Sequence, residues 1–278
     1  MKSLFKYWHL DGVMAIFLLC ICIVYFLLNG FRNNKRSAYF FMGYGLLIIS
    51  VASPLYFLGE NYLMSAHMAS HINILLIAAP LLVLGIPENT DNKLLFWLSD
   101  KLMRFPWLPW MIGVCIMWFW HIPVIFNQLF DAPDETLLKN GFSGAHILQN
   151  VHLMSLVLAG ILFSWPVVGP IPSRRIAPLN AVLYLSAACI FCSILGLLIT
   201  FAPVGIYTHY IHIVDRFGFL NRIRNEGGIS ILVDQQMAGL IMWVPGCLIY
   251  LSGSMYLLMK WFREKKEKPA LFIKNTSP

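Results

Sequence analysis

Seven apolar runs, separated by short polar or charged joints, divide the chain near residues 12–29, 38–58, 63–86, 108–126, 145–168, 179–201 and 235–259. Each matches the about 17–25 residues that an α-helix needs to cross a hydrocarbon core. No joint between them is rich enough in patterned apolar positions to fold as a soluble unit. The pattern therefore predicts an all-α, polytopic membrane bundle of about seven transmembrane helices, forming a single domain over 1–278. Breakers sit where such helices stop or bend. Gly85 and Pro87 close the third run, and Pro80 inside it predicts a kink. Pro123 and Pro245 interrupt the fourth and seventh runs. The sixth carries Ser186, Ala187, Ala188, Ser193 and Gly196, small residues that suit close helix packing.

Composition agrees and adds an orientation. The chain is 59% hydrophobic and only 12% charged, with mean hydropathy +0.70, values that exclude an ordinary soluble globular protein. With the N-terminus outside, fourteen of the twenty Lys and Arg residues fall on the inner side, six of them in the C-terminal stretch 260–274. That asymmetry predicts an N-out/C-in, multi-pass protein, expected in a bacterial plasma membrane. The first run lacks a small-x-small cleavage pattern and reads as a retained helix. The net charge of +7 follows from the inner-side bias and the basic tail, so the bilayer is the implied partner and nucleic acid is not. All six cysteines lie in apolar runs, which argues for packing rather than a disulfide framework. Cys189 and Cys192, one helical turn apart, also have the spacing of a soft-metal pair.

The histidines change the picture most. His67 and His71 are four residues apart and share a helix face with Met64 and Met68 at the head of the third run. Ionisable groups inside membrane helices are costly and point to function. On the predicted topology His121 lies in the outer half of the fourth helix, and His146 and His152 begin the fifth. His209 and His212 occupy the outer loop after the sixth, and His9 the outer N-terminal tail. All eight histidines thus belong to the outer half of the protein or beyond it. His121, in WFWHIPVIFN, is two residues before a proline that frees a backbone carbonyl. Hydrogen bonding across the bundle is the competing reading for such a residue. His152 sits more firmly on its helix than His146. His209 and His212 are expected at the interface; metal binding would require them to fold back over the helix ends. Asp234, at the head of the seventh run, is placed either to cap its own helix or to orient a ligand histidine. The loop 127–144 carries Asp131, Asp134 and Glu135, a solvated loop by default and a mouth that attracts cations otherwise. No nucleophile–base–acid set, phosphate loop or dinucleotide fingerprint appears, so no enzyme activity is expected.

Four blocks, HMASHINILLIAAPLLVLGIP, WHIPVIFN, HLMSLVLAGILFSWPVVGPIP and DQQMAGLIMWVPG, resemble the CtaG-type cytochrome c oxidase assembly proteins, a seven-helix bacterial membrane family. They occur in the family's order and span the third to seventh helices, while the first two helices match in character only. FSW stands where the family tends to have a second aromatic, which leaves the ligand assignment untouched. An unrelated single-helix copper chaperone shares the name and nothing else with this sequence. The resemblance implies a cytochrome c oxidase assembly factor that handles copper outside the cytoplasm and works with heme-copper oxidase subunits. It carries over to His67, His71, His121, His152 and Asp234 as metal-site positions; His146, Met64 and Met68 are weaker candidates from their placement in the sequence alone. Imidazoles with nearby thioethers suit copper in either oxidation state. A bis-histidine heme b electron carrier and a copper importer remain as alternatives. The carrier requires facing histidines at matched depth, and the importer a polar path through an inner half that has almost none.

Overall fold

The computed structural model describes residues 6–29, 35–88, 92–130, 144–215 and 217–275, with side chains of 144–146 and 266–275 left aside. Among the described residues every regular element is a helix. Helix α1 (Gly12–Asn29) is followed by α2 (Lys35–Ala52) and α3 (Pro54–Asn61), which are separated only by Ser53. Ser53 caps α3 by accepting from Leu55 N at 3.1 Å, and Pro54 occupies the first helical position, where its missing N–H does no harm. The third span comprises α4 (Met64–Ile72), a π-helical turn (Asn73–Ala78) and α5 (Ala79–Gly85). In the widened turn before Pro80, the N–H of Ala79 reaches back to Ile74 O. Asn73 pins this turn to α2 through Leu46 O at 3.1 Å and Ser50 Oγ.

The fourth span differs from the single run in the sequence. An amphipathic helix α6 (Lys93–Arg104), capped by Asn92, meets α7 (Trp107–Trp120) at 83°. It buries Leu95, Ser99 and Leu102, and Trp165 donates to Ser99 Oγ at 3.0 Å. Basic residues along its other side give it the pattern of a helix lying in the membrane interface. After α7 the chain breaks at His121–Ile122 and resumes as α8 (Pro123–Phe130). Helices α9 (Gly144–Val168), α10 (Pro178–Phe201) and α11 (Ile231–Asn275) complete the bundle. Six helical stretches, or seven with the bent pair, are long and apolar enough to span a bilayer. Helix α11 runs past the expected end at Met259, because Lys260, Arg263, Glu264 and Lys265 are good helix formers and Lys260 pairs with Glu264.

Lipid-facing character is visible on the outside of the bundle, where Leu27 is 78% exposed and Phe201 76%. Side chains such as Met14, Leu47, Met68, Leu156 and Met242 fill the interior. Gly196 and Gly239 let α10 and α11 touch: a Cβ on Gly239 would stand 2.2 Å from Thr200 Oγ1 and 2.6 Å from Gly196 O. With no hydrophobic drive between helices in lipid, such close backbone approach is what holds them together. At the end of the bundle holding Lys35, Gly85 and Val168, three arginines bind the joints. Arg36 donates to Leu84 O and Ile86 O and pairs with Glu88, Arg175 pairs with Glu88 at 2.8 Å, and Arg174 pairs with Asp100 at 2.6 Å. The histidine-bearing ends of α4, α7 and α9 lie at the opposite end.

Candidate metal centre

Helix α4 supplies two rings of the site, α9 a third and the α7–α8 break a fourth. The i, i+4 spacing puts His67 and His71 on one face, with ring centroids 4.2 Å apart. Close approach by α3 fixes the position of His67: a Cβ on Gly59 would lie 2.8 Å from His67 N and 2.9 Å from its Cα, so only glycine fits there. From α9, the ring of His152 stacks on that of His67 at 5.5 Å and lies 4.8 Å from that of His71. All three are at least nine-tenths buried. One nitrogen from each ring comes within 4.8 Å of the other two. Among the described residues, Nε2 of His67, both ring nitrogens of His71 and Nε2 of His152 have no hydrogen-bond partner. Leaving a buried polar group unsatisfied costs about 1–3 kcal/mol. One nitrogen from each of three rings turned into one small volume is therefore an arrangement that a cation would relieve.

His121 stands beside this trio, with its ring perpendicular to that of His71 at 5.2 Å. Pro123 cannot donate, so the end of α7 tightens: His121 N bonds Trp118 O and Ile122 N bonds Phe119 O. Nδ1 of His121 faces Met117 O and must donate to it, which leaves a lone pair on Nε2. That lone pair meets Met68 Sδ at 3.0 Å. A histidine whose second nitrogen is held by a backbone carbonyl has the tautomer and orientation of a metal ligand.

Aromatic rings close the volume. Phe126 and Phe130 of α8 meet His67 edge-on at 5.4 and 5.3 Å, and Trp120 meets His152 at 4.9 Å. Above them fold residues 202–215. Tyr207 donates to His121 O at 3.1 Å, the carbonyl exposed by the helix break, and Tyr210 donates to Gly59 O at 2.6 Å. His209 does fold back over the helix ends, but its Nε2 bonds Glu60 O at 2.8 Å and its ring stacks on Phe130. Farther out, Tyr62 donates to Asp215 Oδ1 at 2.8 Å. Burial, with that carboxylate, pushes the Tyr62 phenol up to about 12, so it remains a donor.

Asp234 occupies neither of the places expected for it. Ser230 accepts from Val233 N at the head of α11, which frees Asp234 to serve another helix. Its Oδ2 accepts from Met64 N at 2.8 Å, and its Oδ1 from Ser65 N at 3.1 Å and Ser65 Oγ at 2.6 Å. The carboxylate thus caps α4, whose own N-cap residue, Leu63, has no side-chain acceptor. It fixes the two-histidine helix through the backbone rather than through an imidazole. Met64 is buried in the same turn, while Met68 is the thioether that reaches a histidine. The side chain of His146 and the acidic loop positions Asp131, Asp134 and Glu135 lie outside the described residues.

The model of the cytochrome c oxidase caa3 assembly factor family matches residues 30–264. The chain belongs to that family. An assembly factor for cytochrome c oxidase implies association with the oxidase, and the apolar helices place this one in a membrane. The match takes in His67, His71, His121, His152, Met68 and Asp234 and leaves out α1. No curated protein and no solved structure matched. In this assembly factor, sequence reasoning missed the two tyrosines and the two phenylalanines that enclose the histidines. The aromatic run in IYTHYIH was the available signal for the tyrosines; nothing local marks Phe126 or Phe130.

Proposed function

We propose that this assembly factor binds copper through His67, His71 and His152 and passes it to a heme-copper oxidase subunit, without catalytic turnover of its own. The observation that carries this reading is the convergence of ring nitrogens from three buried histidines, each ring holding a nitrogen that has no partner among the described residues. Imidazole suits copper, and a thioether beside the site favours its monovalent form. His121 Nε2 and Met68 Sδ form the adjacent donor pair toward which the ion can move. Asp234 is a positioning residue that holds α4 in register. The ring spacing supports a bare ion over heme. Two axial imidazoles on one iron, with metal–nitrogen bonds of about 2.0–2.1 Å, hold their ring centres roughly 6 Å apart with a macrocycle between. Here the three rings of the trio are 4.2–5.5 Å apart.

The same reading places the site on the extracytoplasmic side of a bacterial plasma membrane, N-out and C-in, because the arginine-bound end of the bundle is the positive one. A reporter fused after Lys274 is expected to be cytoplasmic, and one inserted beside Asp134 external. Both on one side would remove the extracytoplasmic placement. Protein purified from copper-replete cells is expected to hold copper and to lack a Soret band in its visible spectrum. A strong Soret band without copper would transfer the assignment to a heme carrier.

A further inference from the structure

A second group of soft donors lies deeper in the bundle, and the histidine site does not use it. Helix α10 carries Cys189 and Cys192, and α11 carries Cys247. Across the helix contact Cys189 Sγ lies 3.2 Å from Cys247 Sγ, and Ser193 Oγ lies 3.0 Å from the same Cys247 sulfur. Cys192 is one turn along from Cys189 and fully buried. Its sulfur lies 3.0 Å from where a Cβ on Gly246 would stand, beside Ile72 Cδ1 at 3.7 Å and Leu76 Cδ1 at 3.9 Å. Cys192 is therefore level with the turn from Ile72 to Leu76, roughly 2–8 Å past His71 along that helix at about 1.5 Å per residue.

We propose that Cys189 and Cys247 form a separate site for a soft monovalent metal ion, Cu(I) in this protein, while the Cys192 thiol donates to Met242 O at 3.3 Å and stays outside it. Only the identity of the ion rests on the copper reading above; the donor geometry stands without it. Thiolates select Cu(I), which accepts two or three sulfurs. Binding between Cys189 and Cys247 forms two S–Cu bonds and releases two thiol protons, with no electron transferred, so the ion must arrive already reduced. Ser193 serves the charged form. Its hydroxyl now donates to Cys189 O at 2.8 Å and can turn to the Cys247 sulfur once that is a thiolate. At about 2.3 Å per metal–sulfur bond, two opposed sulfurs sit roughly 4.6 Å apart. The pair must open, and Cys247 is the less buried of the two.

The test is Cu(I) stoichiometry of the purified protein in detergent, measured against a chromogenic chelator, with the near-ultraviolet thiolate-to-copper absorption as a second readout. Wild type is expected to hold two ions and to show the absorption. His67→Ala/His152→Ala should hold one and keep it, and Cys189→Ser/Cys247→Ser should hold one and lose it. In the wild-type protein, Cu(I) should also protect Cys189 and Cys247 from alkylation, read residue by residue in a mass spectrum, which serves if the serine variant does not fold. Wild-type stoichiometry in the serine variant, or unprotected alkylation of both cysteines in copper-loaded wild type, would overturn the thiol site. Undiminished binding in the histidine variant would instead remove the imidazole site and leave this one standing.

Discussion

Replacing His67, His71 or His152 by alanine is expected to lower oxidase activity in cells by about tenfold or more while the amount of this protein stays near normal. Each substitution removes one of three converging nitrogens, and second-sphere changes alone cost metal sites about 10–100-fold. Stability should move little because two effects of similar size oppose each other. The lost ring leaves a small cavity, but it also removes buried nitrogens that have no partner, each worth about 1–3 kcal/mol. A second histidine change should add little to the loss of activity, since the first already leaves the site mostly empty at cellular copper levels. Added copper should restore part of the activity by mass action, raising occupancy of a weakened site. His121→Ala should be milder, because His121 stands beside the trio and interacts with Met68 and Met117 O. The measurement is oxidase activity beside immunoblotted protein for each single variant and the His67–His152 double, with and without copper. Losses that add, follow abundance and ignore copper would reduce these residues to packing groups.

Asp234→Ala is expected to behave in the opposite way. It strands Met64 N, Ser65 N and Ser65 Oγ at the buried head of α4. Hydrogen bonds to a charged group contribute about 1.5–3 kcal/mol each, partly offset by no longer burying a carboxylate. A net loss of about 3 kcal/mol is expected, together with a several-fold fall in abundance. Copper should not rescue it, and Asp234→Asn, which keeps one acceptor oxygen, should lose about half as much. Thermal unfolding in detergent beside immunoblots decides this. Normal abundance and stability with lost copper would make Asp234 a ligand or its direct partner instead of a cap.

The spans were legible because run length alone determines what crosses a bilayer, and His67 with His71 because four residues make one helical turn. Less of the fourth span could be read. Its basic residues look like a loop when only apolar content is counted, yet Leu95, Ser99 and Leu102 follow the helical period that α6 uses. The grouping of three histidines, with His121 beside them, depends on how α4 sits against α9. That register comes from contacts such as Gly160 of α9 on Leu75 and Ala79 of the third span, which involve packing rather than spacing. The partner of Asp234 is about 170 residues away in sequence, so its role as a cap for another helix leaves no local trace. Tyr207 is similarly remote from the carbonyl it satisfies at His121. Pro123 announced that some carbonyl would need a partner, but not which donor would come.

The central claim is that imidazoles of the α4–α9 contact hold the ion, and X-ray absorption at the copper edge tests it most directly. Protein loaded with one equivalent of cupric ion is expected to show a first shell of about three nitrogen scatterers with the outer-shell pattern of imidazole rings, falling to about two in His152→Ala. A shell of oxygen or sulfur without the imidazole pattern, unchanged by that substitution, would contradict it.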